Sequence, residues 1–161
     1  MELVLPMQPW IRFAATFGYL GQSRWAPGTV GTLGAIPLAF VLMLLGQEIY
    51  VVFTLVFCVL SIFVAQAFEN ASDKHDSKEI VIDEVAGFLV TMALLPVTWQ
   101  AFALGFVLFR LLDVLKPFPI GFFDKNVAGG FGVVVDDLVA GLIANVGLQI
   151  LLAYQPQVFG I

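Results

Sequence analysis

Long apolar stretches separated by short polar ones organise this chain. The first runs from Leu33 to Leu45 and is opened by the Gly-rich turn Pro27-Gly28-Thr29-Val30-Gly31. The second, Ile49 to Phe68, carries no charge over 20 residues. As a helix it would rise about 30 Å, enough to cross a bilayer core. The third runs from Val85 to Phe109 and the fourth from Leu138 to Tyr154. The third is interrupted at Leu95-Pro96-Val97-Thr98, where proline removes a backbone donor and clashes with the preceding turn. Split there, it yields two pieces of about 17 Å, each too short to cross alone. The pattern therefore predicts an all-α bundle of membrane helices, with a broken or re-entrant helical hairpin over 85–109.

Composition agrees with lipid as the solvent. Of 161 residues, 60% are hydrophobic and only 12% charged, against about 25% charged in a soluble domain. The mean hydropathy is +0.99, which disfavours a soluble relative using the same helices as a buried core. The length fits one domain, with residues 25–154 as helical core. Residues 1–24 are expected to lie at the membrane interface, since Pro6, Pro9, Trp10 and Arg12 suit that position. No basic leader followed by an apolar core and a cleavage site is evident at the N-terminus. The net charge of −5 excludes nucleic acid, which needs a basic stripe. It also means that an acidic protein binding a phosphate needs a cation between the two. The lone Cys58 lies inside an apolar run and reads as a small hydrophobe.

If the third stretch is a hairpin, Arg24, Lys74, Lys78, Arg110, Lys116 and Lys125 fall on one side of the membrane. The other side holds Glu48 and no lysine or arginine. The bias of basic residues toward the cytoplasm then assigns the charged side to the cytoplasm. A single crossing would scatter these residues over both faces.

Ionisable groups at the edges of apolar helices are costly and invite a functional reading. Asp83-Glu84 precedes Val85-Ala86-Gly87; a helix cap accounts for one carboxylate better than for two. Arg110, Asp113 and Lys116 recur at a spacing of three, along one side of a helix that Pro117 should stop. They read as a salt-bridge ladder, or as a metal ligand beside two phosphate binders, a guanidinium fork and an ammonium point charge. Asp136-Asp137 opens the fourth stretch. Adjacent helical residues point about 100° apart, so one should face the site and the other cap or support it. Gly28 and Thr29 stand where a helix start can offer N–H and hydroxyl donors to phosphate, although Pro-Gly-Thr is also common turn chemistry.

Five carboxylates thus gather on one predicted face: Asp83, Glu84, Asp113, Asp136 and Asp137. An oxygen-only set suits Mg²⁺, whereas one histidine and one cysteine exclude a zinc cage. His75, followed by Asp76 in the polar segment Glu69 to Glu79, reads as an exposed loop residue. Cysteine-phosphatase and two-histidine phosphatase chemistries lack their residues. Metal-assisted attack on a phosphate remains, with water or a carboxylate as nucleophile.

At these residues the sequence resembles the bacterial phosphatidylglycerophosphatase A family. The resemblance is carried by PGTVGTLGAIP (Pro27–Pro37), HDSKEIVIDEVAG (His75–Gly87), FRLLDVLKPFPI (Phe109–Ile120) and FDKNVAGGFGVVVDDLVAG (Phe123–Gly141). It implies Mg²⁺-dependent dephosphorylation of phosphatidylglycerophosphate to phosphatidylglycerol, at the cytoplasmic face of the bacterial inner membrane. The family's motif positions fall on Asp83, Glu84, Arg110, Asp113, Lys116, Asp136 and Asp137. With the chemical reading, Asp83, Glu84, Asp113 and Asp137 are candidate catalytic groups. All five carboxylates are candidate metal ligands, and Arg110, Lys116, Thr29 and Gly28 candidate phosphate binders. The competing reading is a small transporter with acidic helix-end ion sites, motivated by the broken helix. Oligomeric state is not legible.

Overall fold

The computed structural model describes residues 7–72 and 77–161, and among these it is all-helical, without strands. The helices are α1 (Pro9–Ala15), α2 (Pro27–Leu44), α3 (Gln47–Ser72), α4 (Ile82–Met92), α5 (Trp99–Leu115), α6 (Ile120–Asn126) and α7 (Gly129–Tyr154). Three of them, α2, α3 and α7, are long and apolar enough to cross a membrane. Their outer faces are apolar: Val52, Leu55, Val59 and Phe63 of α3 and Leu142, Val146 and Ile150 of α7 are all exposed. In water such a surface would be a liability; in lipid it is the natural contact face.

The short helix α4 is the centre of the bundle and packs against α2, α3, α5 and α7. Its side chains from Val85 to Leu89 are fully buried. The α4–α7 crossing is close because both helices present glycine there. A Cβ on Gly141 would collide with the Gly87 carbonyl, and one on Gly87 with the Asp137 carbonyl and the Phe109 ring. Small residues at such crossings let backbones approach and gain dispersion contact.

The break predicted near Pro96 is present, between Met92 and Trp99. It frees carbonyls inside an apolar bundle, where each would be costly without a donor. Side chains supply the donors. Asn145 donates to Thr91 O at 2.8 Å and Ala93 O at 2.7 Å, and Gln149 to Ala93 O at 3.1 Å. Gln47 donates to Leu95 O at 3.3 Å and the Tyr50 hydroxyl to Leu89 O at 2.7 Å. The Gln47 bond places this turn level with the α2–α3 turn. Helix α5 then restarts with Thr98 as N-cap, accepting from Ala101 N at 3.2 Å, and returns to the end where α4 began.

Several local expectations need correction. The segment from Pro27 is not a turn ahead of the first helix but its first turns, because Pro27 is pre-set for helix position one. Asp136-Asp137 does not open the last helix; α7 starts at Gly129, two turns earlier. Val81, not Asp83, is the N-cap residue of α4. Lys116 leaves the helix face it was predicted to share with Arg110 and Asp113. It adopts a left-handed conformation with φ 44°, donating its N–H to Leu112 O and ending α5 before Pro117. Helix α3 continues to Ser72, so Glu69 is buried in a helix rather than exposed in a connection. Lys74, His75 and Asp76 lie outside the described residues.

Candidate active site

All seven ionisable residues of the motif set line one cavity of about 350 Å³, at the end of the bundle where α2 and α4 begin and α5 ends. Helix α4 contributes Asp83 and Glu84 from its first turn, α5 contributes Arg110 and Asp113, and its cap Lys116. Helix α7 contributes Asp136 and Asp137. Asp83, Asp113, Asp136 and Asp137 are buried, and Glu84 is half-buried.

The ion pairs divide these groups into two sets. Arg110 pairs with Asp113 and lies 4.0 Å from Glu84. Lys116 donates to Asp136 at 2.6 Å and also to Asp124. Burial pushes the Lys116 ammonium downward, but the two carboxylates outweigh it and hold the group above the usual lysine range. Among the described residues Asp83 and Asp137 have no cation within ion-pair distance. Asp83 Oδ1 instead accepts from the Glu84 N–H at 3.0 Å. Asp137 is close enough to Asp113 for the two carboxyl groups to share a hydrogen bond. Glu84 Oε2 is buried with no hydrogen-bond partner.

These unmatched groups converge. One oxygen from each of Asp83, Glu84 and Asp137 lies within 4.8 Å of the others. A bare cluster of buried carboxylates is unfavourable unless a proton or a cation joins it. The donor set is oxygen throughout, which fits a hard divalent ion better than zinc or copper. The whole cavity points the same way: six carboxylates, Asp124 included, face three cations, Lys78, Arg110 and Lys116. An anionic substrate entering this cavity needs additional positive charge.

Of the predicted phosphate binders, Arg110, Lys116 and Gly28 line the cavity, whereas Thr29 is half-buried beside it and does not. Gly28 has a spatial reason to be glycine: a Cβ there would collide with the Glu84 carboxylate and press on Arg110 Nη1 at 3.2 Å. Of the five predicted metal ligands, three converge and two, Asp113 and Asp136, are engaged by Arg110 and Lys116. The consecutive aspartates of α7 point different ways, Asp137 into the carboxylate cluster and Asp136 toward Lys116. Sequence reasoning missed Asp124 and Lys78. Asp124 lies on α6 inside the motif beginning at Phe123, eight residues after Lys116; a charge within that motif was the available signal.

Comparison with known proteins places this geometry. The family model for phosphatidylglycerophosphatase A matches residues 13–152. The phosphatidylglycerophosphatase A of Escherichia coli (strain K12) is 39% identical over 137 residues, covering 84% of this chain and 79% of that protein. That of Haemophilus influenzae is 39% identical over 121 residues, 74% of each chain. A Bacteroides thetaiotaomicron protein provisionally named phosphatidylinositol-3-phosphatase is 30% identical over 131 residues, covering 76% of this chain and 80% of that protein. No solved structure matches the chain.

Proposed function

The chain belongs to the phosphatidylglycerophosphatase A family and is a phosphatase, and from that premise we propose that it hydrolyses the phosphomonoester of phosphatidylglycerophosphate. The products are phosphatidylglycerol and inorganic phosphate. The observation that carries this reading is one cavity holding a cation-poor carboxylate cluster beside an arginine and a lysine, at the end of a lipid-suited bundle.

Asp83, Glu84 and Asp137 would hold Mg²⁺, with Asp113 and Asp136 close by. Bound there, the ion would supply neutralising charge for the phosphate and Lewis acidity toward water. The chain's own residues do the rest. Arg110 presents its guanidinium fork to the phosphate oxygens, held in place by Asp113 and Glu84. Lys116 adds a permanent positive charge, oriented by Asp136. Both would face the negative charge that develops as the P–O bond breaks, and both are held by carboxylates before substrate arrives.

The distribution of basic residues supports a cytoplasmic-membrane location with the cavity on the cytoplasmic face. Every described lysine and arginine belongs to the cavity end, whereas the α2–α3 turn at the other end carries only Glu48. The α4–α5 hairpin lies within the membrane, entering and leaving on the cavity side.

The test is inorganic phosphate release from phosphatidylglycerophosphate by the purified protein in detergent micelles. Release with Mg²⁺ that EDTA abolishes and added Mg²⁺ restores is the expected result. No release from folded, Mg²⁺-supplied protein overturns the substrate assignment; release unaffected by EDTA overturns the metal.

A further inference from the structure

We propose that one acyl chain of the lipid substrate lies in the seam between α2 and α5, its far end seated in a second, apolar cavity. The proposal rests on the lipid-phosphate reading above and specifies where that lipid's tail goes.

The second cavity, of about 410 Å³, is lined by Ile36, Pro37 and Phe40 of α2, Val97 and Thr98 of the turn, and Trp99 and Phe102 of α5. No lining residue is charged. The two helices that frame it are the same two that border the active-site cavity: α2 through Pro27 and Gly28, α5 through Arg110 and Asp113. They run antiparallel, so both extend from the second cavity to the active-site end.

The helical register makes that seam continuous. On α5, Trp99, Phe102, Phe106 and Arg110 recur at spacings of three and four, which places them along one face. On α2, Thr29, Leu33, Ile36 and Phe40 do the same. Leu33 and Phe40 are exposed and Ile36 and Phe106 half-buried, so the seam is open to the lipid side. Neither face carries a charge between Thr29 and Phe40 or between Trp99 and Phe106. Thr29, which does not line the charged cavity, stands at the end of this α2 face nearest the active site.

The lengths agree. From Arg110 to Phe102 the helix rises about 12 Å, and from Gly28 to Phe40 about 18 Å. One leaflet of a ~30 Å hydrocarbon core is about 15 Å deep. A lipid whose phosphate meets Arg110 thus brings the lower part of a fluid acyl chain to the depth of the second cavity. An amphipathic ligand matches a charged pocket and an apolar one set along the same pair of helices.

The experiment compares dipalmitoyl and dihexanoyl phosphatidylglycerophosphate as substrates for Ile36→Trp and Val97→Phe, which fill the cavity without touching the active site. Dihexanoyl chains are too short to reach it. We expect kcat/KM for the dipalmitoyl substrate to fall about tenfold, the loss of roughly two buried methylenes, while dihexanoyl turnover holds. Equal losses on both substrates, or none on either, overturn the proposal. A dipalmitoyl analogue with a diazirine at the chain end supplies a second readout on the wild-type protein. Labelling at Phe40, Trp99 or Phe102 that unlabelled substrate suppresses supports the seam. Labelling spread over Val52, Leu55 and Val59 of α3, or insensitive to competitor, overturns it. Wild-type protein releasing no phosphate from either substrate would instead refute the proposed function, and competed labelling would still report the seam.

Discussion

Two clusters of buried polar groups stand at opposite ends of this bundle, and they are settled differently. At the break between α4 and α5, the carbonyls of Leu89, Thr91, Ala93 and Leu95 meet donors from Tyr50, Asn145, Gln149 and Gln47. At the other end, Asp83 and Asp137 face no cation among the described residues, and Glu84 Oε2 has no partner. In the first cluster every one of these carbonyls has a donor within the protein, although Gln47 Oε1 itself is left without a partner, and this explains how a broken helix survives in an apolar setting. The second is complete only with something added. Convergent buried carboxylates that the fold leaves without cations are evidence for a ligand or a shared proton; carbonyls met by side-chain donors are evidence for architecture.

The sharpest way to break that comparison is to remove one member from each cluster and read activity and stability separately. Asp137→Asn keeps the side-chain shape but deletes a charge from the carboxylate cluster. We expect phosphate release to fall about a hundredfold or more, while the metal-free protein melts no lower than wild type, because like-charge crowding is relieved. Gly28→Ala should cost about tenfold in kcat/KM, since its Cβ displaces the Glu84 carboxylate. Wild-type turnover in either variant would detach that residue from the chemistry.

Asn145→Leu is the converse. It strands Thr91 O and weakens the cover of Ala93 O. Stability should drop by about 1–3 kcal/mol, read as a lower melting temperature in detergent, with kcat/KM of the folded fraction within about twofold of wild type. A large activity loss with unchanged melting would mean that the two clusters are coupled through α4.

Much of this was legible in the chain itself. Long uncharged runs announced helices for lipid, and Pro96 announced the break, because hydrophobic length and a missing backbone donor are local facts. The motif residues were legible as a set, since charges at the edges of apolar helices have few other reasons to exist. The division of labour among them was not. That Asp113 and Asp136 serve Arg110 and Lys116, whereas Asp83, Glu84 and Asp137 converge, depends on where helices cross, and the crossing is set by Gly87 and Gly141 meeting across α4 and α7. Nor could spacing show that Lys116 turns out of the helix: a regular three-residue repeat implies a ladder, and only the left-handed cap before Pro117 turns Lys116 toward Asp124 and Asp136.

That turn supports the smallest of the expected effects. Lys116 is held by two carboxylates, one buried on α7 and one exposed on α6. The exposed pair with Asp124 should contribute little to stability, because solvent screens it and two long side chains must be ordered. Under the proposed function it competes with the phosphate for the same ammonium. Asp124→Asn therefore should leave the melting temperature unchanged and lower KM by about two- to threefold, with kcat retained, since Asp136 still orients the lysine. The gain should shrink as salt is raised, because the competing interaction is the screened one. A rise in KM would mean that Asp124 positions Lys116 for substrate rather than shielding it, and the orienting role would then have to be shared between α6 and α7.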